Sequence, residues 1–383
     1  MKRSFCLLRC LSALLPFGML FCQVHARALE DPIADRISRM SLREKVGQLF
    51  MIRPDALEGR FGPDDLENNS ITGTTQVTDE MRERYAAYPC GGFAVFRKNI
   101  TSPGQLLIFT EALHAMNDIP VMIGIDEEGG RIARIANHPA GFDVPKFPPM
   151  GRIAQTGDPG AAYEAGKTIG GYLKAYGLDV DFAPVADVNT NPNNPVIGDR
   201  AFGDDPDTAA SMVRAVIRGL HENGVAACIK HFPGHGDTAA DTHTGYAETL
   251  KTWDEISACE MIPFRAGIEA GADMVMIGHL TVPALDEAPA PFSYAIVTEL
   301  LRGELGFDGV VVTDALEMGA LGNYTSGEIA VRAILAGVDL LLCPGDMAAA
   351  LQGLSDAVDA GELSEERIDE SVLRILRMKL RLS

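Results

Sequence analysis

Short apolar runs alternate with amphipathic segments along most of the chain. Eight runs are rich in Val, Ile, Leu, Phe and Met, and the segments between most of them have helical periodicity. Apolar runs separated by helices are typical of a parallel sheet, whose strands are buried on both faces. The predicted strands are residues 48–52, 92–96, 121–125, 180–184, 226–229, 274–277, 310–313 and 340–343.

Helix signals between these runs support the same architecture. Ser41 and Glu44 form a capping box at the start of the first helix, and residues 364–380 are predicted to be a closing amphipathic helix. Eight strand–helix units predict an α/β fold, a (β/α)8 TIM-type barrel, with a doubly wound open sheet as the alternative. Other predicted helices are residues 161–176, 207–223, 255–270 and 326–337.

The first 26 residues have the pattern of a secretory signal peptide. Residues 1–9 carry three positive charges and no acid, and the 13 residues 10–22 are uncharged and mostly apolar. That run is too short to span a bilayer, and Val24 and Ala26 offer small residues for cleavage. We therefore expect residues 1–26 to be removed and the protein to be exported. A lipid anchor on Cys22 is disfavoured because Phe21 stands where a small residue is needed.

No boundary is visible in the remainder of the chain. It has no internal repeat, low-complexity tract or proline-rich linker, so residues 27–383 are predicted to form one domain. The polar stretch 55–69 is expected to be a loop excursion. Four cysteines remain after residue 26 without a C-x-x-C pair, and they are predicted to be packing residues whose disulfide state stays open. They are Cys90, Cys228, Cys259 and Cys343.

The acidic net charge of the chain limits the classes of partner that it can bind. With 33 Lys and Arg against 53 Asp and Glu, the formal net charge is −20, and loss of three positive charges with residues 1–26 gives −20 − 3 = −23. Nucleic-acid binding requires basic surface, so it is excluded as a general function. Anionic membranes are disfavoured for the same reason, and no stable membrane span is predicted.

Ionisable residues follow five of the eight predicted strands. In a (β/α)8 barrel the carboxyl ends of the strands share one rim, where enzymes with this fold place their active sites. One such residue would carry little weight, but five strands ending this way predict an active site. The residues are Asp126, Asp187, Lys230 with His231, His279 and Asp314.

The segment Lys230-His231-Phe-Pro-Gly-His235-Gly-Asp237-Thr-Ala-Ala-Asp241-Thr-His243 is the densest group of polar side chains. Asp241 can orient the His243 imidazole and raise its pKa, which suits a general acid near neutral pH. Asp314, at the end of an apolar strand, is placed to act as a nucleophile or a ligand. Three alternatives stay open: divalent metal binding by the histidines and aspartates of this segment, a helix cap or ion pair at Asp314, and a loop-shaping role for His235.

Four ordered motifs resemble glycoside hydrolase family 3, specifically its single-domain β-N-acetylglucosaminidase branch. The first is KHFPGHGDTAADTH, residues 230–243. The others are GIDEEGGR at 124–131, VIGDRAFG at 196–203 and TDALEM at 313–318, and the resemblance extends from about Leu42 to Leu380.

The resemblance implies a role for each matching residue. Asp314 matches the nucleophile that forms a covalent glycosyl-enzyme, and His243 matches the general acid/base, with Asp241 as its dyad partner. Hydrolysis would retain the anomeric configuration. The residues that match those holding N-acetylglucosamine in the −1 subsite are Asp126, Arg134, Arg200, Lys230 and His231.

The implied activity is an exo-acting β-N-acetylhexosaminidase that needs no cofactor or metal. Similar single-domain enzymes of Gram-negative bacteria work in the cytoplasm on peptidoglycan fragments during recycling, whereas an exported, periplasmic form could act on cell-wall glycan, muropeptides or chitooligosaccharides. Because a histidine acid/base does not repel anions, phosphate could replace water as the acceptor. A metal-dependent hydrolase using the His231–His243 loop and a non-catalytic amino-sugar-binding protein remain alternatives. The oligomeric state is not indicated.

Overall fold

Eight parallel strands form the barrel in the computed structural model, which describes residues 32–238, 247–317 and 324–382. Each strand pairs with its neighbour in chain order, and the eighth pairs with the first, Phe50 opposite Leu341. A parallel bridge between Val312 and Leu340 joins the seventh strand to the eighth. The strands are β1 Phe50–Ile52, β2 Gly92–Ala94, β3 Met122–Ile125, β4 Val180–Asp181, β5 Ala226–Phe232, β6 Met274–Ile277, β7 Val310–Thr313 and β8 Leu341–Leu342.

The predicted (β/α)8 barrel is therefore confirmed, and the open-sheet alternative is wrong because the first and last strands pair. Strands β6 and β7 have the predicted bounds. Strand β5 continues three residues further than predicted, to Phe232, and β4 is shorter than predicted. In β4 the chain reaches Pro184 after only two paired residues, and proline has no amide hydrogen to donate.

Helices connect the strands and cover the outside of the barrel. The predicted helix 255–270 is wrong as a single element, since it is divided at Cys259. Pro263 explains the division, because its ring would clash with the carbonyl of residue 259, four positions earlier, in a continuous helix. The helices are residues 32–39, Leu42–Gln48, Pro63–Glu67, Asp79–Ala87, Pro103–His114, Met150–Ala154, Pro159–Ala175, Pro206–His221, Trp253–Ala258, Met261–Glu269, the π-helix Ala295–Glu304, Ser326–Ala336, Met347–Asp359 and Glu365–Leu382.

Side chains of the strands fill the barrel interior. Met51, Met274 and Met276 are buried there together with Phe182. Cys90, Cys228 and Cys343 are also buried, whereas Cys259 is half-buried, and all four cysteines are free. Cys259 packs against the core from its half-buried position, so the packing role predicted for the cysteines holds for all four.

The last helix, Glu365–Leu382, closes the amino-terminal end of the barrel. Its Arg374 Nη1 lies 3.2 Å from Asp339 Oδ1, just before β8, and its Lys379 Nζ lies 2.7 Å from Gln48 Oε1, just before β1. Ile375 and Met378 of this helix belong to the cluster of apolar side chains inside the barrel. The closing helix therefore covers the barrel interior at this end, and the cavity of the candidate site opens at the opposite, carboxyl-terminal end.

The excursion that follows β1 is more ordered than the predicted loop. It contains a 3-10 turn, Pro54–Leu57, and the helix Pro63–Glu67. Buried polar contacts fix it to the barrel: Asp55 accepts hydrogen bonds from the Thr74 amide at 2.9 Å and from Asn99 Nδ2 at 2.8 Å. The excursion is thereby held over the carboxyl-terminal end of the barrel.

The predicted signal peptide, residues 1–26, lies outside the described residues. No helix in the described parts of the chain is both long enough and apolar enough to cross a membrane.

Candidate active site

A cavity of about 330 Å³ opens at the carboxyl-terminal ends of the strands. This volume is at the lower end of the range for small-molecule sites. Asp241 and His243, the predicted dyad, lie outside the described residues. The predicted site residues that the structure does describe all line the cavity: Asp126, Arg134, Arg200, Lys230, His231 and Asp314.

Lys230 lies at the centre of a buried charge cluster. Its Nζ is 2.8 Å from Asp126 Oδ1 and 2.6 Å from Glu128 Oε1, and Arg134 Nη2 approaches the other oxygen of Asp126 at 3.3 Å. Burial opposes the charged form of Asp126, but the charges of Lys230 and Arg134 outweigh it and hold the pKa of Asp126 far below its usual range. With 21% of its side chain exposed, Asp126 can still reach a ligand in the cavity.

Glu128 and Arg200 form the second half of this cluster. Arg200 Nε and Nη2 each donate to one oxygen of Glu128 at 2.8 Å, the bidentate geometry that fixes both side chains. Although burial alone would raise the pKa of Glu128, the charges of Arg200 and Lys230 lower it to about 2. Sequence reasoning missed Glu128. The available signal was its position two residues after Asp126 in the GIDEEGGR motif.

His231 is oriented by Asp187, six residues after the end of β4. Its Nδ1 lies 2.7 Å from Asp187 Oδ2, and because a carboxylate accepts, Nδ1 carries the hydrogen. The other ring nitrogen, Nε2, then faces Arg200 Nη2 at 3.5 Å, at the wall of the cavity. Asp187 is fully buried, and the charge of His231 and its hydrogen bond lower the pKa of Asp187 against the effect of burial. The peptide bond between Lys230 and His231 is cis.

Asp314 stands directly after β7, on the same cavity. Its Oδ1 accepts a hydrogen bond from the Ala315 amide at 2.8 Å, and His279 Nε2 donates to the Ala315 carbonyl at 2.9 Å. Burial opposes ionisation of Asp314, but the charges of His231 and His279 and the amide hydrogen bond together lower its pKa. Asp314 is therefore an anion at neutral pH, with its backbone held by a neighbouring strand end.

The first part of the predicted catalytic loop is firmly anchored. The His235 amide donates to Asp187 Oδ1 at 2.7 Å, and Asn194 Nδ2 donates to the His235 carbonyl at 2.8 Å. Gly236 is required here, because a Cβ atom at this position would lie 2.0 Å from the Val188 carbonyl oxygen. His235 Nδ1 lies 2.7 Å from Thr238 Oγ1, as expected for a loop-shaping residue.

The residues of this loop that were candidate metal ligands, and that the structure describes, each contact a different side chain. His231 contacts Asp187, His235 contacts Thr238, and Asp237 accepts a hydrogen bond from Thr249 Oγ1 at 2.9 Å. Within residues 32–238, 247–317 and 324–382, no three His, Cys, Asp or Glu side chains are grouped to hold a metal ion. Asp241 and His243 are not in these ranges.

A second polar pair lines the cavity on its other side, between β7 and β2. Arg53, directly after β1, and Glu317, three residues after Asp314, form an ion pair in which Arg53 Nε lies 2.6 Å from Glu317 Oε1. Sequence reasoning missed both residues. Arg53 follows the first apolar run, and Glu317 belongs to the TDALEM motif at the end of the seventh. The signal that could have identified them was therefore their position at the carboxyl-terminal rim of the barrel.

A parallel barrel with ionisable residues at one rim defines a barrel enzyme. The chain belongs to glycosyl hydrolase family 3, since the model of that family's N-terminal domain matches residues 41–378. The resemblance predicted from the four motifs is confirmed.

Curated relatives and solved structures are similar to the chain over most of its length. It is 34% identical over 336 residues to β-hexosaminidase A of Pseudoalteromonas piscicida, covering 80% of this chain and 56% of that protein. It is 36% identical to the β-hexosaminidase of Nitrosomonas eutropha, covering 79% and 88%. The structure of a family 3 β-N-acetylglucosaminidase from Paenibacillus sp. superposes with a TM-score of 0.81 at 38% identity, over 90% of this chain and 63% of that one.

Proposed function

We propose that the protein is a retaining exo-β-N-acetylhexosaminidase that releases N-acetylglucosamine from β-1,4-linked glycans. The observation that carries this proposal is the convergence of Asp314 with the buried cluster around Lys230 in a single cavity. The names of the similar proteins, β-hexosaminidase and β-N-acetylglucosaminidase, support the same activity.

The charge cluster provides the groups that a sugar ring needs in the −1 subsite. Vicinal hydroxyls donate to carboxylates and accept from cationic groups, and Asp126, Lys230 and Arg134 present both kinds side by side. Since these side chains are already fixed by one another, they lose little further freedom when a sugar binds. Arg200 acts mainly through Glu128, because this carboxylate takes its bidentate hydrogen bonds.

Asp314 would act as the nucleophile on the anomeric carbon. Its lowered pKa keeps it ionised, and one of its oxygens is held by the Ala315 amide, leaving the other for attack. Attack would break the glycosidic bond and form a covalent glycosyl-enzyme, which water then hydrolyses. Two inversions at the same carbon give net retention.

His243, paired with Asp241, would protonate the leaving oxygen and then deprotonate the incoming water. The support comes from the chain on either side of these residues. Thr238 is held through His235 and Asn194, and the strand Ala247–Glu248 pairs with Leu280–Val282, which follows β6. His243 is five residues after Thr238 and four before Ala247, and both of these flanking residues are anchored to the barrel.

The substrate would be a muropeptide released during peptidoglycan recycling or a chitooligosaccharide. Glu67 and Asn69 of the ordered excursion line the cavity, and both residues are exposed, as expected for side chains that meet the aglycone. Their polar character fits either glycan.

The test uses aryl β-N-acetylglucosaminide with wild type and His243→Ala, with the aryl β-glucoside as the control substrate. We expect wild type to release the β-anomer of N-acetylglucosamine in the presence of a chelator, as monitored by proton NMR. We expect His243→Ala to turn the substrate over more slowly. The loss should be smaller for substrates whose leaving group needs no protonation. Release of the α-anomer, or activity that requires an added metal ion, would contradict the proposal. Added phosphate should leave the product unchanged, and a sugar 1-phosphate would show phosphorolysis instead.

We also propose that the protein is exported to the periplasm after cleavage at Ala26. The charge and length pattern of residues 1–26 supports this proposal. Amino-terminal sequencing of the protein from fractionated cells should find a new terminus at Arg27 in the periplasmic fraction. Full-length protein in the cytoplasm would contradict export.

A further inference from the structure

The ion pair of Arg53 and Glu317, in the wall of the active-site cavity, has unused hydrogen-bonding capacity. Both side chains are about 95% buried and both residues line the cavity. Among the described residues, neither Arg53 Nη1 nor Glu317 Oε2 has a hydrogen-bond partner. A buried donor and a buried acceptor without partners are costly, so their presence side by side at a ligand cavity points to a ligand group that satisfies both.

The pair is held rigidly in this position. The Arg53 guanidinium lies over the ring of Phe96, 3.4 Å from its centroid. The Glu317 amide donates to the Cys343 carbonyl at 3.0 Å, and the Cys343 amide donates to the Met51 carbonyl at 2.8 Å. The backbone after β7 is thus connected through β8 to β1, and the two charged side chains approach each other from fixed strand ends.

The position of the pair relative to Asp314 indicates which part of the sugar it meets. Around the rim, the cluster that would bind hydroxyls lies on β3 to β5, and the pair lies beyond Asp314 in the sector from β7 to β2. With the anomeric carbon at Asp314 and the distal hydroxyls at the cluster, two substituents flank the reacting carbon. They are the group on C2 and the hydroxymethyl group on C5.

We propose that Arg53 and Glu317 recognise the 2-acetamido group of the substrate and so select N-acetylhexosaminides over hexosides; this inference rests on the proposed function. The acetamide carbonyl would accept from Arg53 Nη1, and its N–H would donate to Glu317 Oε2. Phe96 and Leu342, which line the same side of the cavity, would contact the methyl group. A site built to bind an amide rejects the analogue that lacks it, because its own polar groups stay unpaired.

The test compares kcat/KM for three aryl glycosides: the β-N-acetylglucosaminide, its 6-deoxy analogue and the β-glucoside. The variants are Arg53→Met, Glu317→Gln and the double variant Arg53→Met/Glu317→Leu, which removes the buried pair together and so leaves no lone buried charge. Lys379→Met, which changes a buried basic side chain at the opposite end of the barrel, is the matched control.

We expect kcat/KM to fall about 100-fold for both N-acetyl substrates in all three cavity variants and to change less than about 3-fold for the glucoside. Lys379→Met should preserve the wild-type preference. A parallel fall for all three glycosides, or no fall, would overturn the inference. Variants that affect the parent substrate but not its 6-deoxy analogue would show that the pair binds the 6-hydroxyl instead.

If turnover of the glucoside is too slow for its kcat/KM to be measured, calorimetry can compare the binding of N-acetylglucosamine and glucosamine instead. Wild type should bind N-acetylglucosamine more tightly than glucosamine, and the cavity variants should lose that preference. Tighter binding of glucosamine, whose ammonium would pair with Glu317, would overturn the inference. Wild type that binds N-acetylglucosamine but does not cleave its aryl glycoside would contradict the proposed function while leaving the recognition of the acetamide in place.

Discussion

The two ends of the barrel both contain buried charges, but these charges serve different purposes. At the amino-terminal end, Asp339 is fully buried and accepts hydrogen bonds from the Val311 amide at 3.0 Å and Ser371 Oγ at 2.7 Å, with Arg302 and Arg374 also paired to it. Both of its oxygens are occupied by the protein itself. This cluster therefore connects the closing helix to the strands.

At the carboxyl-terminal end, charged side chains with incomplete pairing line the active-site cavity. Asp126 is partly exposed to the cavity, and Arg53 Nη1 and Glu317 Oε2 lack partners among the described residues. The difference teaches that buried charge alone does not identify a site. Charged side chains that line a cavity and keep unpartnered atoms are the stronger indication of one.

Asp314→Ala and Asp339→Ala should separate the two ends most clearly. Removing the proposed nucleophile should lower kcat/KM on aryl β-N-acetylglucosaminide by on the order of 10⁴-fold or more while the thermal midpoint stays close to wild type. The measurement pairs steady-state kinetics with thermal unfolding. If Asp314→Ala failed to fold, instead of folding and losing turnover, Asp314 would have a structural role like that of Asp339.

Asp339→Ala should show the reverse behaviour. Removing one partner of a buried charge cluster leaves Arg302 and Arg374 uncompensated, which costs about 3–5 kcal/mol of the free energy of unfolding. The protein that remains folded should keep the wild-type kcat. Urea unfolding measures the first quantity and active-site titration the second. A large fall in kcat without loss of stability would show that the amino-terminal end takes part in turnover.

Glu128→Gln should change how stability depends on acid pH. The pKa of Glu128 is lowered to about 2, so its contribution is present above the ordinary glutamate pKa of 4.5 and is lost as pH falls towards 2. Wild type should lose up to about 1.4 kcal/mol per pH unit from this group across that interval, and the variant should lose less. Denaturant unfolding between pH 5 and pH 2.5 measures the free energy of unfolding of both proteins. Equal slopes of this free energy against pH in wild type and variant would contradict a stabilised Glu128 anion.

Lys379→Met should give the smallest effect, on the alkaline side. Burial lowers the pKa of Lys379 to about 7, so between pH 7 and about 10 the unfolded chain binds a proton that the folded protein does not. The free energy of unfolding of wild type should therefore rise with pH by about 1 kcal/mol per unit more than that of the variant. Identical slopes from pH 7 to pH 9 would show that Lys379 stays charged in the folded protein.

The sequence was sufficient to predict the barrel because its strands are buried on both faces. The runs 274–277 and 310–313 were bounded correctly, since every residue of each run is buried. The interruption at Cys259 and the ordered helix Pro63–Glu67 were not predicted, because they depend on one proline and on buried contacts from distant residues such as Asn99.

The candidate site was predictable where a residue stands at a strand end within a dense motif, as Asp126, Lys230 and Asp314 do. Glu128, Arg53 and Glu317 were missed because their importance lies in pairings between strands that are far apart in the chain. Arg53 and Glu317 are separated by 264 positions, and only the closed barrel brings them together. The roles of Asp241 and His243 remain predictions, since both lie outside the described residues.

Trapping the covalent intermediate tests the central claim most directly. An N-acetylglucosaminyl fluoride carrying a second fluorine at C5 forms the glycosyl-enzyme readily and releases it slowly. Peptide mass spectrometry of the trapped protein should locate the sugar on Asp314 in wild type, and no label should form in Asp314→Ala. A label on another carboxylate, or turnover of the reagent with no labelled protein at any time, would contradict the account of Asp314 as the nucleophile of this barrel.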